Sequence, residues 1–331
     1  MKIVLIGSGN LSIPPPGWGA VEILIWDIYE NLVNNGNIVH IINTRNQNEI
    51  IRITNEINPD IVHLHVNGYV KLLELINCKI KILTNHESDI NSNSLILDSN
   101  IINNPTIFIS ALSREIKDIY IKAGWDTNKI FITPNGANEK KFIYSDICIY
   151  PDKSIYLAMI EDTRKNQYKY QTIDSIYFAG NVWYTTKFDT NNPRYLGHWS
   201  KDTVYSSLTH YANLVLLSTF EAHSLAVCEA LISGLGVVIS EAACANLDLT
   251  KPWITVIPNN KLDDLIYIED QIKKNREISL HFRSEIRSYS LETISWKSRI
   301  NNIYELYINL LQDSLEPIVP IVPIVPIESI L

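Results

Sequence analysis

The sequence predicts an α/β fold of two doubly wound, Rossmann-like parallel-sheet domains facing a cleft. Three observations carry this. Short apolar runs alternate with helical stretches from the first residue onward. The alternation breaks once, at the Pro and Asn-Gly of "PNGANEKKF" (134–142), and then resumes. The 331 residues, 46% of them apolar, are too many for one ordinary core and suit two domains of about 150 residues each.

The elements follow in order. "KIVLIG" (2–7) reads as a strand, "AVEILIWDIYENLVNNG" as a helix stopped by Gly36, and "NIVHIIN" as a second strand. A helix ending at "INPD", the strand "IVHLH", a helix through Ile76 and the strand "KIKILTNH" come next. After a polar interval at 87–104, "TIFIS", a helix from Ser113 to Lys122 and "KIFITPNG" complete a first domain over 1–150. The second domain, 151–290, offers "SIYLAMI" (154–160), "SIYFAGN" (175–181), "RYLGH" (194–198), "NLVLLS" (213–218) and "GVVIS" (236–240) as strands. An amphipathic helix is expected over 291–311. In the tail, 315–331, Pro317, Pro320, Pro323 and Pro326 stand three apart, a period that forbids helix and suits polyproline II. That tail reads as disordered, or as a docking segment for a partner.

Composition narrows the function classes. The net charge is -8 and no stretch clusters Lys and Arg beside aromatics, which argues against nucleic acid as partner. Cys78, Cys148, Cys228 and Cys244 form no C-x-x-C pair, which fits reduced thiols in a cytosol-like compartment. "MKIVLIGSGN" lacks the form of a signal peptide, and no segment approaches the roughly 20 apolar residues that span a bilayer. The expectation is a soluble, cytoplasmic protein, with peripheral membrane contact left open.

The first turn, "GSGNLSIPPPGWGAVE", has Gly7 and Gly9 but Ser12 where a dinucleotide fingerprint needs a third glycine, and "HIINTRN" supplies no acidic residue for a ribose. Gly17 and Gly19 precede a helix; they either receive a phosphate on exposed amides or merely serve a Pro-stiffened turn. Trp18 between them stacks on a sugar ring or anchors the loop. His86 stands just past a strand's C-terminal end, where open α/β sheets bind ligands.

"FEAHSLAVCEALISGLGVVIS" (220–240) holds two glutamates eight residues apart, Glu221 and Glu229. From Ser224 onward almost every neighbour of Glu229 is apolar, the pattern of a helix buried all round. A carboxylate there needs a partner: a basic residue, a proton, or a ligand's hydroxyl donors. With Ser224 as N-cap, a diphosphate at the amides of Ser224 and Leu225 leaves Glu229 near one end and Glu221 near the other, each ready to accept from a vicinal diol. The other reading is a Glu229 paired with a Lys or Arg from elsewhere in the chain.

Glu-x7-Glu in "EAHSLAVCEALISGLGVVIS", with "TPNGANEKKF", "ISALSREIKDIYIKAG", "RKNQ" and "YLGHWSKDTVYSSL", resembles the retaining glycosyltransferases of family 4, which have the GT-B fold; the likeness covers nearly all of the chain except the tail. The resemblance implies donor binding by the C-terminal domain, acceptor binding by the N-terminal domain, and a last helix that crosses back onto the N-terminal domain. It implies that Glu221 meets the donor sugar, Glu229 the ribose, the amides of Ser224 and Leu225 the diphosphate, and Lys165 the leaving charge. Gly19 and Gly180 join the donor set, Trp18 and His86 the acceptor set, and Glu221, His86 and Lys165 carry the catalytic roles. The arginine of that family, six residues before Lys165, is replaced by Met159, so Arg164 is expected to supply the second charge. Ala222 and Ser224 also replace the usual glycines, and Ala20 stands where a second glycine is common.

The implied activity is retaining, metal-independent transfer from a UDP-sugar to a sugar or other hydroxyl acceptor, with no cofactor; no Asp-x-Asp occurs in the sequence. The alternatives are a GT-B-fold sugar-nucleotide epimerase and a protein that binds sugar nucleotides without turning them over.

Overall fold

The computed structural model describes residues 1–17, 19–87, 99–182 and 184–313. Trp18 and the Pro-rich tail lie outside the described residues. The first sheet contains β1 (Lys2–Ile6), β2 (Ile38–Ile42), β3 (Ile61–Leu64), β4 (Ile80–Leu83), β5 (Ile107–Ala111) and β6 (Ile130–Ile132), all parallel, in the order β2-β1-β3-β4-β5-β6. Its α-helices are α1 (Ala20–Asn34), α2 (Gln47–Ile57), α3 (Ser99–Asn103) and α4 (Arg114–Lys122). β1, β3 and β4 are Ile-, Val- and Leu-rich and almost wholly buried, as strands covered on both faces must be.

The second sheet contains β7 (Tyr150–Leu157), β8 (Ile176–Ala179), β9 (Tyr211–Leu216), β10 (Gly236–Ser240) and β11 (Ile254–Ile257) in the order β11-β10-β9-β7-β8, again parallel. The short α5 (Gln167–Tyr170) and α6 (Lys201–Ser207), the buried α7 (Leu225–Ile232), and α8 (Leu265–His281) and α9 (Arg283–Thr293) accompany it. Polar side chains start several helices: Asn46, Ser113, Ser200 and Asp264 each accept from a backbone amide of the first turn of α2, α4, α6 and α8.

The last helix, α10 (Trp296–Asp313), packs on the first sheet: Ile300, Ile303, Leu306, Tyr307 and Leu310 share a core with Ile3, Leu5, Ile61, Ile80, Ile82 and α1. The chain therefore passes between the domains twice, and the two passages touch. Ala137 N donates to Ile294 O at 3.0 Å and Trp296 N to Ala137 O at 3.0 Å. Gly136 is required beside them, because a Cβ there would stand 2.8 Å from the Trp296 ring.

Three expectations are corrected. "RYLGH" forms no strand; Tyr195 makes a single bridge to Phe178. The helix expected at 291–311 is two helices, broken at Ile294 and Ser295 where the linker pairs with it. The helix through Ile76 is a 3-10 helix, Asn67–Glu74.

Candidate functional site

The strand order of the second sheet reverses between β9 and β7, the place where open α/β sheets bind ligands. Leu157, Ala158 and Met159 leave β7 there, Gly180 and Asn181 leave β8, and α7 contributes Leu225, Ala226 and Glu229. With His198, Trp199 and Lys201 they line a cleft of ≈ 830 Å³ up to its open mouth, and Gly17, Gly19, Ala20 and Ile23 close its far wall from the first domain.

Each wall has a local cause. Gly180 N donates to Gly197 O at 3.0 Å, and a Cβ at Gly180 would fall 1.8 Å from Ala158 O, so only glycine lets the β7 and β8 ends approach. Gly19 caps α1 at φ +131, a conformation side chains avoid. Ser224 is the N-cap of α7, but its hydroxyl makes no capping bond, so the first amides lack a side-chain partner at the positive end of the helix.

Glu229 is 7% exposed and forms an ion pair with Lys201, the first residue of α6. This answers what a carboxylate does on an otherwise apolar helix: its partner is a lysine 28 residues earlier. Sequence reasoning did not single out Lys201; its one signal was its place in "YLGHWSKDTVYSSL", directly after the Ser200 cap.

Glu221, in the loop between β9 and α7, forms an ion pair with Lys165. The two are brought together by Tyr156, whose hydroxyl donates to Lys165 O at 2.6 Å and accepts from Leu217 N at 3.1 Å. Thr219 N adds a bond to Arg164 O at 2.8 Å. The Arg164 side chain bonds Glu161 Oε1 through Nε at 2.8 Å. Gln167, last of "RKNQ", is fully buried and donates to Met159 O at 2.8 Å, fixing the end of β7.

His86 lies beyond β4 in a stack of three histidines. His63 and His65 rings stand 4.2 Å apart and His65 and His86 5.3 Å, with His65 Nδ1 and His86 Nε2 at 3.0 Å. Tyr307 of α10 and Thr84 hold the two His63 nitrogens at 2.6 and 2.7 Å. Burial pushes His86 down to about 4; burial, then the charge His86 would carry, pushes His63 to about 3 and, with His63 added, drives His65 well below the ordinary range.

Of the residues expected from sequence, Gly19, Gly180, Leu225 and Glu229 line the cleft, and so does Met159. Ser224 stands at the N-cap position of the helix beside it without a side-chain bond; Lys165 and Glu221 form their own pair, and His86 joins the histidine stack rather than the cleft lining. Among the described residues no group of His, Cys, Asp and Glu is placed to hold a metal, and no helix is long and apolar enough to cross a membrane.

No family model matches the chain, and no curated protein matches it. Among solved structures it is similar to HepE of Anabaena in complex with UDP and glucose: TM-score 0.72, 14% identity, 93% of this chain and 100% of that one. Sucrose-phosphate synthase of Thermosynechococcus elongatus gives a TM-score of 0.71 at 14% identity over 94% and 99% of the two chains. The lipopolysaccharide outer core galactosyltransferase WaaB gives 0.66 at 14% identity over 95% and 100%. The fold is GT-B.

Proposed function

We propose that this chain is a metal-independent, retaining glycosyltransferase of family 4 that moves a sugar from a UDP-sugar to a hydroxyl of a sugar or other acceptor in the cytoplasm. The observation that carries the reading is the placement of Glu229 in the cleft beside the uncapped amides that start α7, with Glu221 in the loop before that helix. A carboxylate recognises a diol, and helix-start amides recognise a diphosphate. That HepE is seen with UDP and with UDP-glucose supports the nucleotide.

In this reading Glu229 accepts from the ribose hydroxyls, α7 amides hold the diphosphate, and Glu221 meets the transferred sugar while Lys165 faces the leaving charge. Gly19 and Gly180 keep the walls close to the donor; Arg164 adds charge, and His86 with Trp18 receives the acceptor from the N-terminal domain. The bond from the anomeric carbon to the diphosphate oxygen breaks. A bond to the acceptor oxygen forms on the same face, and the acceptor's proton goes to the leaving phosphate. Stabilising that developing charge is the main catalytic task.

The test is release of free UDP from a panel of UDP-sugars in EDTA, with and without simple sugar acceptors. Acceptor-dependent release is expected, with the anomeric configuration of the product retained. Binding without release identifies a sugar-nucleotide-binding protein, and interconversion of the donor sugar an epimerase.

A further inference from the structure

We propose that Lys201 is a further side-chain cation, in addition to the Lys165 assigned above, that receives the donor's diphosphate in this protein, and that the same ammonium neutralises Glu229. The inference rests on the glycosyltransferase reading above and adds to it a residue and a role.

Four observations meet on Lys201. Among the described residues lining the cleft it is the only Lys or Arg, and Glu229 the only carboxylate. Met159, a neutral side chain, occupies the same lining at the end of β7. Lys165 is engaged by Glu221 and the Arg164 Nε by Glu161, both away from this lining. Finally, a lysine in the first turn of α6 stands at the positive end of the helix, where a cation is disfavoured. Helix stability does not explain its presence; the cleft does.

The geometry gives it two partners. Ser200 caps α6 and fixes the Lys201 backbone, while the ammonium lies 5.7 Å from the Phe142 ring and 5.4 Å from the Tyr205 ring, close to the linker between the domains. An ammonium carries three donors, so a bond to Glu229 leaves others to offer. Lys201 supplies the countercharge that buried Glu229 needs. A diphosphate at the start of α7 arrives about 7 Å from Glu229, five residues of helix rise, with more negative charge than one carboxylate. The ammonium turns to it, and the Glu229 oxygens are released to accept from the ribose diol. One lysine thus serves both the carboxylate and the diphosphate.

The experiment is calorimetric titration of uridine, UMP and UDP into the wild type, Lys201→Met, Lys201→Arg and the double variant Lys201→Met/Glu229→Gln, with thermal unfolding as the folding control. Lys201→Met is expected to weaken UDP by ~10–100-fold, as loss of one charged hydrogen bond does, UMP by less, and uridine by under about twofold. Lys201→Arg should keep most of the UDP affinity, and the double variant should stay without the gain that UDP has over uridine. Equal losses for uridine and UDP, or recovery of that gain in the double variant, would show that Lys201 only neutralises Glu229. A wild type that binds UDP and a Lys201→Met variant that binds it equally well overturn this assignment alone. A wild type that binds none of the three overturns the glycosyltransferase reading and the assignment together. Should Lys201→Met not fold, Lys201→Gln is read by the same criteria.

Discussion

The indole Nε1 of Trp296 donates to Asp27 Oδ2 at 3.0 Å, joining the first residue of α10 to the middle of α1. Asp27 also accepts from Asn138 Nδ2 at 3.0 Å and Lys141 Nζ at 3.2 Å, so one carboxylate, 3% exposed, gathers the first domain, the linker and the returning helix. Burial pushes its pKa up, and Asn138, Lys141 and Trp296 pull it back. Asp27→Ala takes this acceptor from Trp296 Nε1 and Asn138 Nδ2, while Lys141 keeps Glu30 Oε2 at 3.3 Å. It should cost about 1–3 kcal/mol, the cost of leaving the buried Trp296 indole N–H unpaired, read as a lower urea midpoint. A loss under about 1 kcal/mol would mean that this junction does not hold the domains.

Glu221→Gln keeps the shape of the loop but removes the charge that pairs with Lys165. If Glu221 meets the transferred sugar, turnover should fall by ~10²–10³-fold while UDP affinity changes little. Equal loss of free-UDP affinity would remove Glu221 from the sugar and place it on the nucleotide.

Met159 lines the cleft and its carbonyl is held by Gln167, so a longer cationic side chain at this position has room to extend into the open space. Met159→Arg should fold and tighten UDP binding by roughly tenfold, the value of an added charged hydrogen bond. A variant that unfolds instead shows that residue 159 turns into the core.

Gly180→Ala places a methyl group 1.8 Å from the Ala158 carbonyl oxygen. The ends of β7 and β8 must part, at about 1–3 kcal/mol of strain. Melting temperature and UDP affinity should fall together, because the same backbone forms the cleft wall. Loss of neither would show that the two strand ends can separate freely.

His63 and His223 are held neutral by burial, both pushed down to about 3, and each is over 90% buried. An unfolded histidine binds a proton near pH 6.5; between that pH and about 3 the unfolded chain carries protons the folded one refuses. Stability is therefore fully present above pH 6.5 and is lost as pH falls. At pH 4 the loss is roughly 3 kcal/mol per histidine. Denaturation followed from pH 7.5 to 4 should show the decline, and His63→Gln should flatten part of it. An unchanged slope in that variant would contradict the assignment.

The strands of both sheets were legible because buried parallel strands are written as short Ile, Val and Leu runs, whatever their partners. "RYLGH" has the same look, yet it makes only the isolated bridge of Tyr195 to Phe178, through Arg194 O and Leu196 N, and then Gly197 O accepts from Gly180 N beyond the end of β8. β11, α8 and α9 were not singled out; α8 buries only part of its length, at Ile268, Ile272, Asn275 and Ser279, and its pattern is correspondingly weak. The break between α9 and α10 is set by hydrogen bonds to Ala137, some 157 residues earlier, and nothing near Ile294 announces it. In the site, Glu221 and Glu229 were visible from their spacing, and the cleft-lining glycines from their neighbours. Lys165 was named from "RKNQ" but Lys201 was not, and neither pairing was visible: Glu229 finds Lys201 and Glu221 finds Lys165 across 28 and 56 residues, and only the assembled sheet brings them within reach.

The seating of α10 on the first sheet also fixes an order of events during synthesis. β1 leaves the ribosome about 300 residues ahead of α10, but the apolar face of Ile3 and Leu5 is completed by Ile303, Leu306 and Leu310. At ~5–20 residues per second the part of this face that α1 leaves to α10 stays uncovered for roughly 15–60 s. Throughout that interval the nascent first domain carries an unclosed hydrophobic surface of the kind that chaperones engage, and any message that stops short of residue 296 releases it permanently uncovered.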